Sequence, residues 1–566
     1  MQNYSNKRAG VYFEEVDKSA YATGTVTVGS AVITPTVKGK SFLPRTVTNM
    51  QEYDAYFGTT FKSGSDYYEY FGSLLAKNYF ATGGDSLLVV PIKSGSYSPS
   101  TSTVVNSTGS IAFTLETISD GAIMNNSGGE IAGSSGSLLL GTPDNIRWEV
   151  NAVSSGSGTF NVLIRQGDDT NKRKNILEQF NGVSLDPKSD SYIGRVIGDY
   201  TYNYDATNQV LQQSGSFRNN SKYVRVASVS LKTPDYFDTS GVAKNMYTGS
   251  LPILSSGSFT GGSDGSLSHP QLFFENISAV NSQGFDATTT SYDTAIQLLS
   301  NPDEFKFNLL FLPGLTASTH GTIVTKALAM VEARGDALLI ADTVAYNKQP
   351  SDAVAVAQGF DSSYMALYYP YVQIRSSALN KNVWCPPSTV VAGVFAYSDK
   401  VSSPAFAPAG YNRGSLNSLT GIQAKYGSEN KDLLFNNNVN LIVPYDKNIY
   451  VILSQNTTQL RPTALDRIAV RRLEFKVKNF VQEIAPKYLF EPNSSSTRIQ
   501  FLSELNKEFG RMIEKREAFD IVAKVIEDNA SFDRSELPVV IEISPLKAIE
   551  KIIVQLVLTE TGIKFV

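Results

Sequence analysis

The sequence of 566 residues is short of the side chains that build disulfides and metal centres. It contains one cysteine, Cys385, and two histidines, His269 and His320. A single cysteine excludes an intrachain disulfide framework and fits synthesis in a reducing compartment. Two histidines exclude histidine-rich zinc sites and multi-histidine metal centres. We therefore expect no metal and no cofactor.

Long apolar runs and excess basic charge are also missing. No stretch of about 18 apolar residues spans a bilayer, and the N-terminus lacks the apolar run of a signal peptide. The net charge is −4, and residues 94–146 contain no lysine or arginine. Nucleic-acid binders normally carry a basic domain or stripe. We expect a soluble protein made in a cytosol, without membrane insertion or direct nucleic-acid contact.

The common enzyme motifs are absent. The sequence has no phosphate-binding loop, no dinucleotide-binding glycine pattern after a strand and no nucleophile elbow in a strand–turn–helix setting. His320 follows a predicted strand, but a structural residue near a helix start is the favoured interpretation. Cys385 lacks a nearby base. The acidic pairs Asp168–Asp169 and Asp303–Glu304 match no calcium-loop spacing, so no catalytic site is predicted.

Length and composition predict two to four domains, and an apolar fraction of 42% supports real cores. We predict a multidomain protein of mixed α+β and α/β class. Its segments are an N-terminal arm at 1–30, a discontinuous α/β core at 31–93 and 257–435, an inserted β domain at 94–256, and a C-terminal α+β assembly domain at 436–566 that ends in an arm.

The α/β core is predicted from alternating strand and helix patterns. Residues 305–312, 323–333 and 336–341 read as strand, helix and strand, with Pro313-Gly314 turning the first strand. This βαβ unit implies a parallel sheet. The remaining core predictions are strands at 31–33 and 86–92, helices at 50–57 and 67–79 with Gly83-Gly84 ending the second, and buried elements at 364–374 and 390–397.

Short alternating runs between Ser/Gly/Thr clusters characterise residues 94–256. Runs at 111–115, 146–150, 159–164 and 223–229 predict strands of a sandwich or barrel. Low-complexity disorder is the alternative. At the N-terminus, residues 10–16 and 23–28 are rich in β-formers, so each run is either a strand of its own domain or an arm that pairs with another subunit.

The C-terminal block combines two amphipathic helices with three strands. Thr463 and Asp466 resemble a capping box for the first helix. The strands are predicted at 519–526, 539–543 and 549–558. Lys507, Arg511 and Lys515 share one helix face, either as a salt-bridged surface with Glu504 and Glu508 or as a cationic stripe for an acidic partner. The apolar stripes are Ala469, Leu473, Val477, Phe480, Val481 and Ile484 in the first helix, and Ile499, Leu502, Leu505, Phe509, Met512 and Ile513 in the second.

An ordered series of short motifs resembles the contractile tail sheath proteins of bacteriophages and phage-tail-like particles. It covers most of the chain outside 94–256, but residues 439–456 lack the family's tryptophan. The motifs are Gly10-Val-Tyr-Phe-Glu-Glu15, Phe57-Gly58, Asn78-Tyr-Phe-Ala-Thr-Gly-Gly-Asp85, Leu87-Leu-Val-Val-Pro91, Gly261-Gly-Ser-Asp-Gly265, Leu312-Pro-Gly314, Tyr368-Tyr-Pro370, Pro386-Pro-Ser388, Ala392-Gly393, Ala407-Pro-Ala-Gly410, Arg471-Arg472, Phe490-Glu-Pro-Asn493 and Pro545 with Glu550.

The resemblance implies a mechanical, non-enzymatic role. Sheath subunits stack as six-fold rings around a tail tube and contract to drive the tube through the host envelope for genome ejection. The implied partners are further copies of the chain, the tube protein, and baseplate and tail terminator proteins. The implied location is the virion tail, after assembly in the host cytoplasm. The inserted domain would face outward, where an adhesin role is open.

The resemblance also implies the interface residues. Arms that add strands to a neighbour's C-terminal sheet would use Val11, Phe13, Val16, Val554, Leu556 and Leu558, and the tube would meet Lys507, Arg511 and Lys515. The alternatives are a baseplate or capsid subunit, or a hydrolase built on residues 270–435.

Overall fold

The computed structural model describes residues 29–551 except 64, 127–128, 132, 134, 206, 209, 268–276, 288, 447–448 and 527–535. These residues form a mixed α/β multidomain architecture. The strands are β1 (Ser30–Pro35), β2 (Arg45–Val47), β3 (Thr60–Ser63), β4 (Asp66–Glu69), β5 (Leu87–Ile92), β6 (Tyr97–Val105), β7 (Ile111–Asp120), β8 (Ile146–Ser154), β9 (Thr159–Gln166), β10 (Ile176–Ser184), β11 (Thr201–Asp205), β12 (Val210–Ser214), β13 (Val224–Val229), β14 (Ser255–Ser258), β15 (Ser263–Asp264), β16 (Asn281–Ser282), β17 (Phe285–Asp286), β18 (Leu309–Thr316), β19 (Leu338–Asp342), β20 (Met365–Tyr369), β21 (Val372–Ser376), β22 (Lys381–Cys385), β23 (Ser415–Leu416), β24 (Leu419–Ile422), β25 (Val439–Asp446), β26 (Ile449–Ile452), β27 (Ala518–Val525) and β28 (Val539–Pro545).

Twelve α-helices are present within the same ranges. They are α1 (Met50–Phe57), α2 (Phe71–Ala81), α3 (Ile193–Ile197), α4 (Asn245–Thr248), α5 (Thr289–Leu298), α6 (Gly321–Arg334), α7 (Pro350–Ala357), α8 (Ser388–Val401), α9 (Gly410–Arg413), α10 (Ser428–Asn436), α11 (Ile468–Ile484) and α12 (Ser495–Glu514). Among these residues, no helix is both long and apolar enough to cross a membrane.

A nine-stranded sheet forms the centre of the α/β part, in the order β2-β5-β1-β18-β19-β20-β25-β26-β23. Its six strands from β5 to β25 run parallel. Alternate residues face opposite sides: Ile33 packs into one apolar cluster with α6, and Val32 packs into a second cluster with α2 and α8. Helices therefore cover both faces, which is why these strands are almost continuously apolar.

The predicted βαβ unit is confirmed, because α6 connects the parallel strands β18 and β19. The predicted turn at Pro313-Gly314 is wrong, since β18 continues to Thr316. Its pairing with β19 jumps from Phe311–Ile340 to Thr316–Asp342. Pro313 lies in this bulge, outside the paired positions. The N–H group that proline lacks is therefore not needed for a hydrogen bond between the strands.

The helix predicted at 67–79 begins later, at Phe71. The residues before it form β4, which pairs with β3 as a hairpin. Phe61 of β3 contacts Tyr68 at 6.0 Å and stacks on Tyr70 at 4.6 Å between ring centroids. Cross-strand aromatic contacts stabilise this hairpin. The aromatic residues at helical spacing between 67 and 79 are therefore divided between the hairpin and α2.

The four strands predicted between 94 and 256 are confirmed as parts of β7, β8, β9 and β13. They belong to two antiparallel four-stranded sheets, β10-β9-β8-β14 and β13-β7-β6-β15. Phe113 from one sheet stacks on Phe160 from the other at 5.7 Å in a single shared core. Enough apolar surface is buried between the sheets to support an ordered β structure.

Three ion pairs join this β structure to the parallel sheet region. Each lysine precedes residue 94 and each aspartate follows it; the pairs are Lys38–Asp144 at 3.5 Å, Lys40–Asp120 at 3.0 Å and Lys93–Asp264 at 2.5 Å. Asp120 is fully buried and also accepts a hydrogen bond from the Ser41 amide. Two of the three aspartates, Asp120 and Asp144, lie in the stretch 94–146 that contains no lysine or arginine.

The C-terminal block builds on α11. Ile468 and Phe475 pack against the parallel sheet region, whereas Leu473 and Val477 pack with α12 and β27. The helix therefore fastens a C-terminal module, defined as α11, α12, β27 and β28, to the core. Its two predicted helices and the strands predicted at 519–526 and 539–543 are confirmed.

Three C-terminal predictions need correction. Thr463 caps a short 3₁₀ turn at Ala464–Asp466 instead of α11, which begins at Ile468. Ile499 is 66% exposed, and Phe501 takes the buried position on α12. The strand predicted at 549–558 does not form at 549–551, and its other residues lie outside the described ranges.

Candidate assembly surface

The C-terminal module carries a two-stranded antiparallel sheet with open edges. β27 and β28 pair with each other from Ala518–Pro545 to Val525–Val539. Within the described ranges no further strand pairs with either of them. An open edge exposes main-chain N–H and C=O groups that an additional strand can satisfy.

Burial differs between the two strands. Ile521 and Ala523 of β27 are buried against α12, while the inward side chains of β28, Val539, Ile541 and Ile543, remain only half-buried in the same cluster. Helix α12 packs mainly on β27, so it covers the inward side chains of β28 less completely. The apolar face of the sheet is therefore left partly uncovered along β28.

The predicted arm residues Val11, Phe13, Val16, Val554, Leu556 and Leu558 lie outside the described residues. The described chain reaches residue 551, six residues beyond β28. The strand-exchange assignment of these six side chains thus stays a prediction.

The side chains of Lys507, Arg511 and Lys515 are exposed on α12. Arg511 pairs with Glu508 at 2.7 Å, while Lys507 and Lys515 form no ion pair with any described residue. Glu504 instead binds Lys487 at 3.0 Å and the hydroxyl of Tyr488 at 2.9 Å, and these donors lower the pKa of its carboxyl. Acidic side chains on α12 therefore neutralise only part of the positive charge of Lys507, Arg511 and Lys515.

The structure shows an exposed apolar loop in the C-terminal module that was not predicted. Leu489 is 65% exposed and Phe490 is fully exposed, between α11 and α12. Phe490 also adopts a φ of +67°, which is unfavourable for an L-residue with a bulky side chain. The exposure follows from the tertiary arrangement of the module, and the only sequence signal was the Phe490-Glu-Pro-Asn493 motif.

The candidate catalytic residues occupy structural positions. His320 precedes α6, is buried, and accepts a hydrogen bond from the Thr316 amide at its Nδ1 atom; burial lowers its pKa. Burial raises the pKa of the Cys385 thiol to about 12, which opposes formation of the reactive thiolate. Asp169 binds the buried Arg165 through two hydrogen bonds of 2.8 Å.

Within the described ranges, no group of three or more Asp, Glu, Cys or His side chains lies in an arrangement that could hold a metal ion. Asp303 and Glu304 are exposed. These residues do not converge with His320 or Cys385 into a catalytic arrangement.

Asp342 is a buried carboxylate at the end of β19. Its two oxygens accept hydrogen bonds from the amide and hydroxyl of Ser388, at 2.8 and 2.7 Å. Burial nevertheless raises its pKa from 3.8 to about 7. It fixes the start of α8 to the sheet, and its protonation affects stability.

We predict a specific pH dependence for D342N. The folded state retains a proton that the unfolded state releases, so the contribution of Asp342 is greatest below pH about 4 and declines as the pH rises to about 7. Urea unfolding of unassembled wild-type and variant protein should show the wild-type advantage falling by up to about 1.4 kcal/mol per pH unit in this window. A difference independent of pH would contradict the assignment.

No protein-family model matches the chain. It is 27% identical over 312 residues to the tail sheath protein of Vibrio phage KVP40, covering 50% of this chain and 46% of the relative. It is 30% identical over 191 residues to the tail sheath protein of Enterobacteria phage T4, covering 32% and 28%. The chain is similar to phage tail sheath proteins.

The fold agrees with this similarity. A crystal structure of a sheath tail protein from Listeria innocua superposes with a TM-score of 0.53 at 11% identity, covering 92% of this chain and 96% of the other. At 11% identity this superposition shows a similar fold and no more. The aligned region spans less than half the length of each curated relative.

Proposed function

We propose that this chain is the structural subunit of a contractile phage tail sheath. It polymerises as stacked six-fold rings around a tail tube, and contraction drives the tube through the host envelope for genome ejection. The observation that carries this proposal is the C-terminal module, whose two-stranded sheet has open edges. Sequence similarity to tail sheath proteins supports it.

Strand addition would connect the rings. The arms at 7–28 and 552–566 extend β27–β28 sheets of neighbouring subunits, using the six arm residues named above. Main-chain hydrogen bonds carry such an interface, while apolar side chains at alternate positions set its register. The half-buried inward face of β28 offers the surface that an added strand would cover. Because donor and acceptor surfaces differ, the contact is heterologous and propagates into a helical array.

The tube is the proposed partner of Lys507, Arg511 and Lys515. Exposed cations on one helix face favour an acidic surface and steer its approach. The chain would also meet baseplate and tail terminator proteins at the ends of the sheath, and it would reside in the virion tail after assembly in the host cytoplasm.

The α/β core and the inserted β domain also have proposed positions in the sheath. The core at 31–93 and 257–435 forms the body of each ring. The β domain at 94–256 faces outward, and its Asp144 and Asp120 pair with Lys38 and Lys40 of the core. The free energy of contraction comes from contacts between subunits, so the protein works without an enzymatic site. A baseplate or capsid subunit is the alternative structural role.

Amide hydrogen exchange tests the strand-addition surface. On assembly, the outward-pointing amides of β27 and β28 should exchange at least about tenfold more slowly, because an added strand hydrogen-bonds them. The β11–β12 hairpin, another two-stranded sheet, provides an internal reference that should keep its rate. Equal exchange of β27 and β28 before and after assembly would reject strand addition there.

A further inference from the structure

In the segment that leads out of β28, a single described side chain is hydrogen-bonded to the core. Residues 546–551 are exposed and form neither strand nor helix. Among the described residues of this segment, only Glu550 forms side-chain hydrogen bonds to the rest of the chain. Ile549 beside it is 85% exposed. The path of the chain at this point therefore depends on Glu550.

Glu550 is held by a bidentate contact with Arg467. Its Oε1 atom lies 2.7 Å from Nε of Arg467 and its Oε2 atom lies 2.9 Å from Nη2. Gln455 Nε2 donates a third hydrogen bond to Oε1 at 3.3 Å. The planar guanidinium fixes both the distance and the orientation of a carboxylate bound in this way.

The receiving residues are themselves fixed. Arg467 directly precedes α11, and its backbone pairs with Asn456. The Ile468 amide donates to the carbonyl oxygen of Gln455 at 2.9 Å. Glu550 therefore attaches the outgoing chain to the junction between the core and α11, at the base of the module.

We propose that Glu550 and Arg467 anchor the C-terminal arm, so that it leaves each subunit from a fixed point and direction. This inference rests on the proposed function of the arm. Residues 552–566 span about 50 Å when extended. Release of Glu550 would move the last fixed point back to the end of β28 and add residues 546–550, five residues, to the free chain. A longer unattached segment lowers the effective concentration of the arm at its target.

A charge swap tests the anchor. E550R and R467E each place like charges together, while the double variant R467E/E550R restores an opposite pair. Each single variant should need a several-fold higher protein concentration to form tubes, and the double variant should return towards the wild-type concentration. Melting temperatures of the unassembled proteins should agree within a few degrees, because the pair lies at the surface.

A spin label gives a second readout in the unassembled protein. An I549C variant accepts a nitroxide selectively, since the native Cys385 is buried. The label should be more mobile in E550R or R467E and regain its restriction in the charge swap. Unchanged mobility and assembly in the single variants, or no recovery in the double variant, would overturn the anchor.

Deletion of residues 557–566, which truncates the chain after Leu556, separates this inference from the proposed function. Ordered tubes from the truncated chain would refute the role of the arm itself. If the truncated chain fails to assemble while E550R assembles like wild type, the arm keeps its role and only the anchor is refuted.

Discussion

Deleting residues 557–566 should leave a folded protein that builds no ordered sheath. The described contacts of the C-terminal module end at residue 551, so the melting temperature of the unassembled chain should change little. The deletion removes the end of the strand donated to a neighbour, including Leu558, so the rings lose main-chain hydrogen bonds that connect them. Negative-stain electron microscopy and thermal unfolding measure the two outcomes. Ordered tubes from the truncated chain would contradict the prediction.

Two full-length variants distinguish strand addition from simple loss of mass. Proline at Val554, Leu556 and Leu558 removes main-chain donors that a ladder needs, whereas alanine keeps them. The proline variant should fail to assemble, and the alanine variant should assemble at a higher protein concentration. Similar assembly of both variants would exclude main-chain pairing as the basis of the contact.

Reversal of the cationic stripe should weaken binding to the tube. The variant K507E/R511E/K515E replaces three exposed cations on α12, so each attraction to an acidic tube becomes a repulsion. Exposed pairs contribute up to about 1 kcal/mol each, which gives a tenfold to hundredfold loss of apparent affinity in a tube co-assembly assay. Unchanged co-assembly would reject the tube-facing assignment.

A matched variant controls for total charge. Lys172, Arg173 and Lys232 are exposed on the β structure at 94–256. Their replacement by glutamate changes the net charge equally and should leave co-assembly unaffected, because that structure is proposed to face outward. Both variants should retain the wild-type melting temperature to within a few degrees, since α12 loses only exposed ion pairing and a helix-terminal interaction.

Local signals were sufficient to predict much of the fold. Helix α1 matches its predicted limits because Asn49 caps its start and Gly58 ends it, both within the segment itself. The βαβ unit was predictable because its strands are buried on both faces and read as apolar runs. In contrast, the bulge at Pro313-Gly314 depends on the register of a neighbouring strand, which no local pattern contains.

The candidate surface was predictable only in part. Helical spacing placed Lys507, Arg511 and Lys515 on one face, and the structure finds all three exposed. The contact between Arg467 and Glu550 joins residues 83 positions apart and depends on the packing of the module. The exposure of Phe490 is likewise a tertiary property. Strand exchange involves a second molecule, so neither the pattern of one chain nor its fold determines it.

Electron microscopy of the purified full-length protein tests the central claim most directly. A sheath subunit should form hollow, striated tubes with six-fold symmetry in cross-section, either alone or around a tube protein. Closed shells would indicate a capsid subunit, and a protein that stays monomeric in the presence of a tube would contradict the proposal that this chain functions by polymerising.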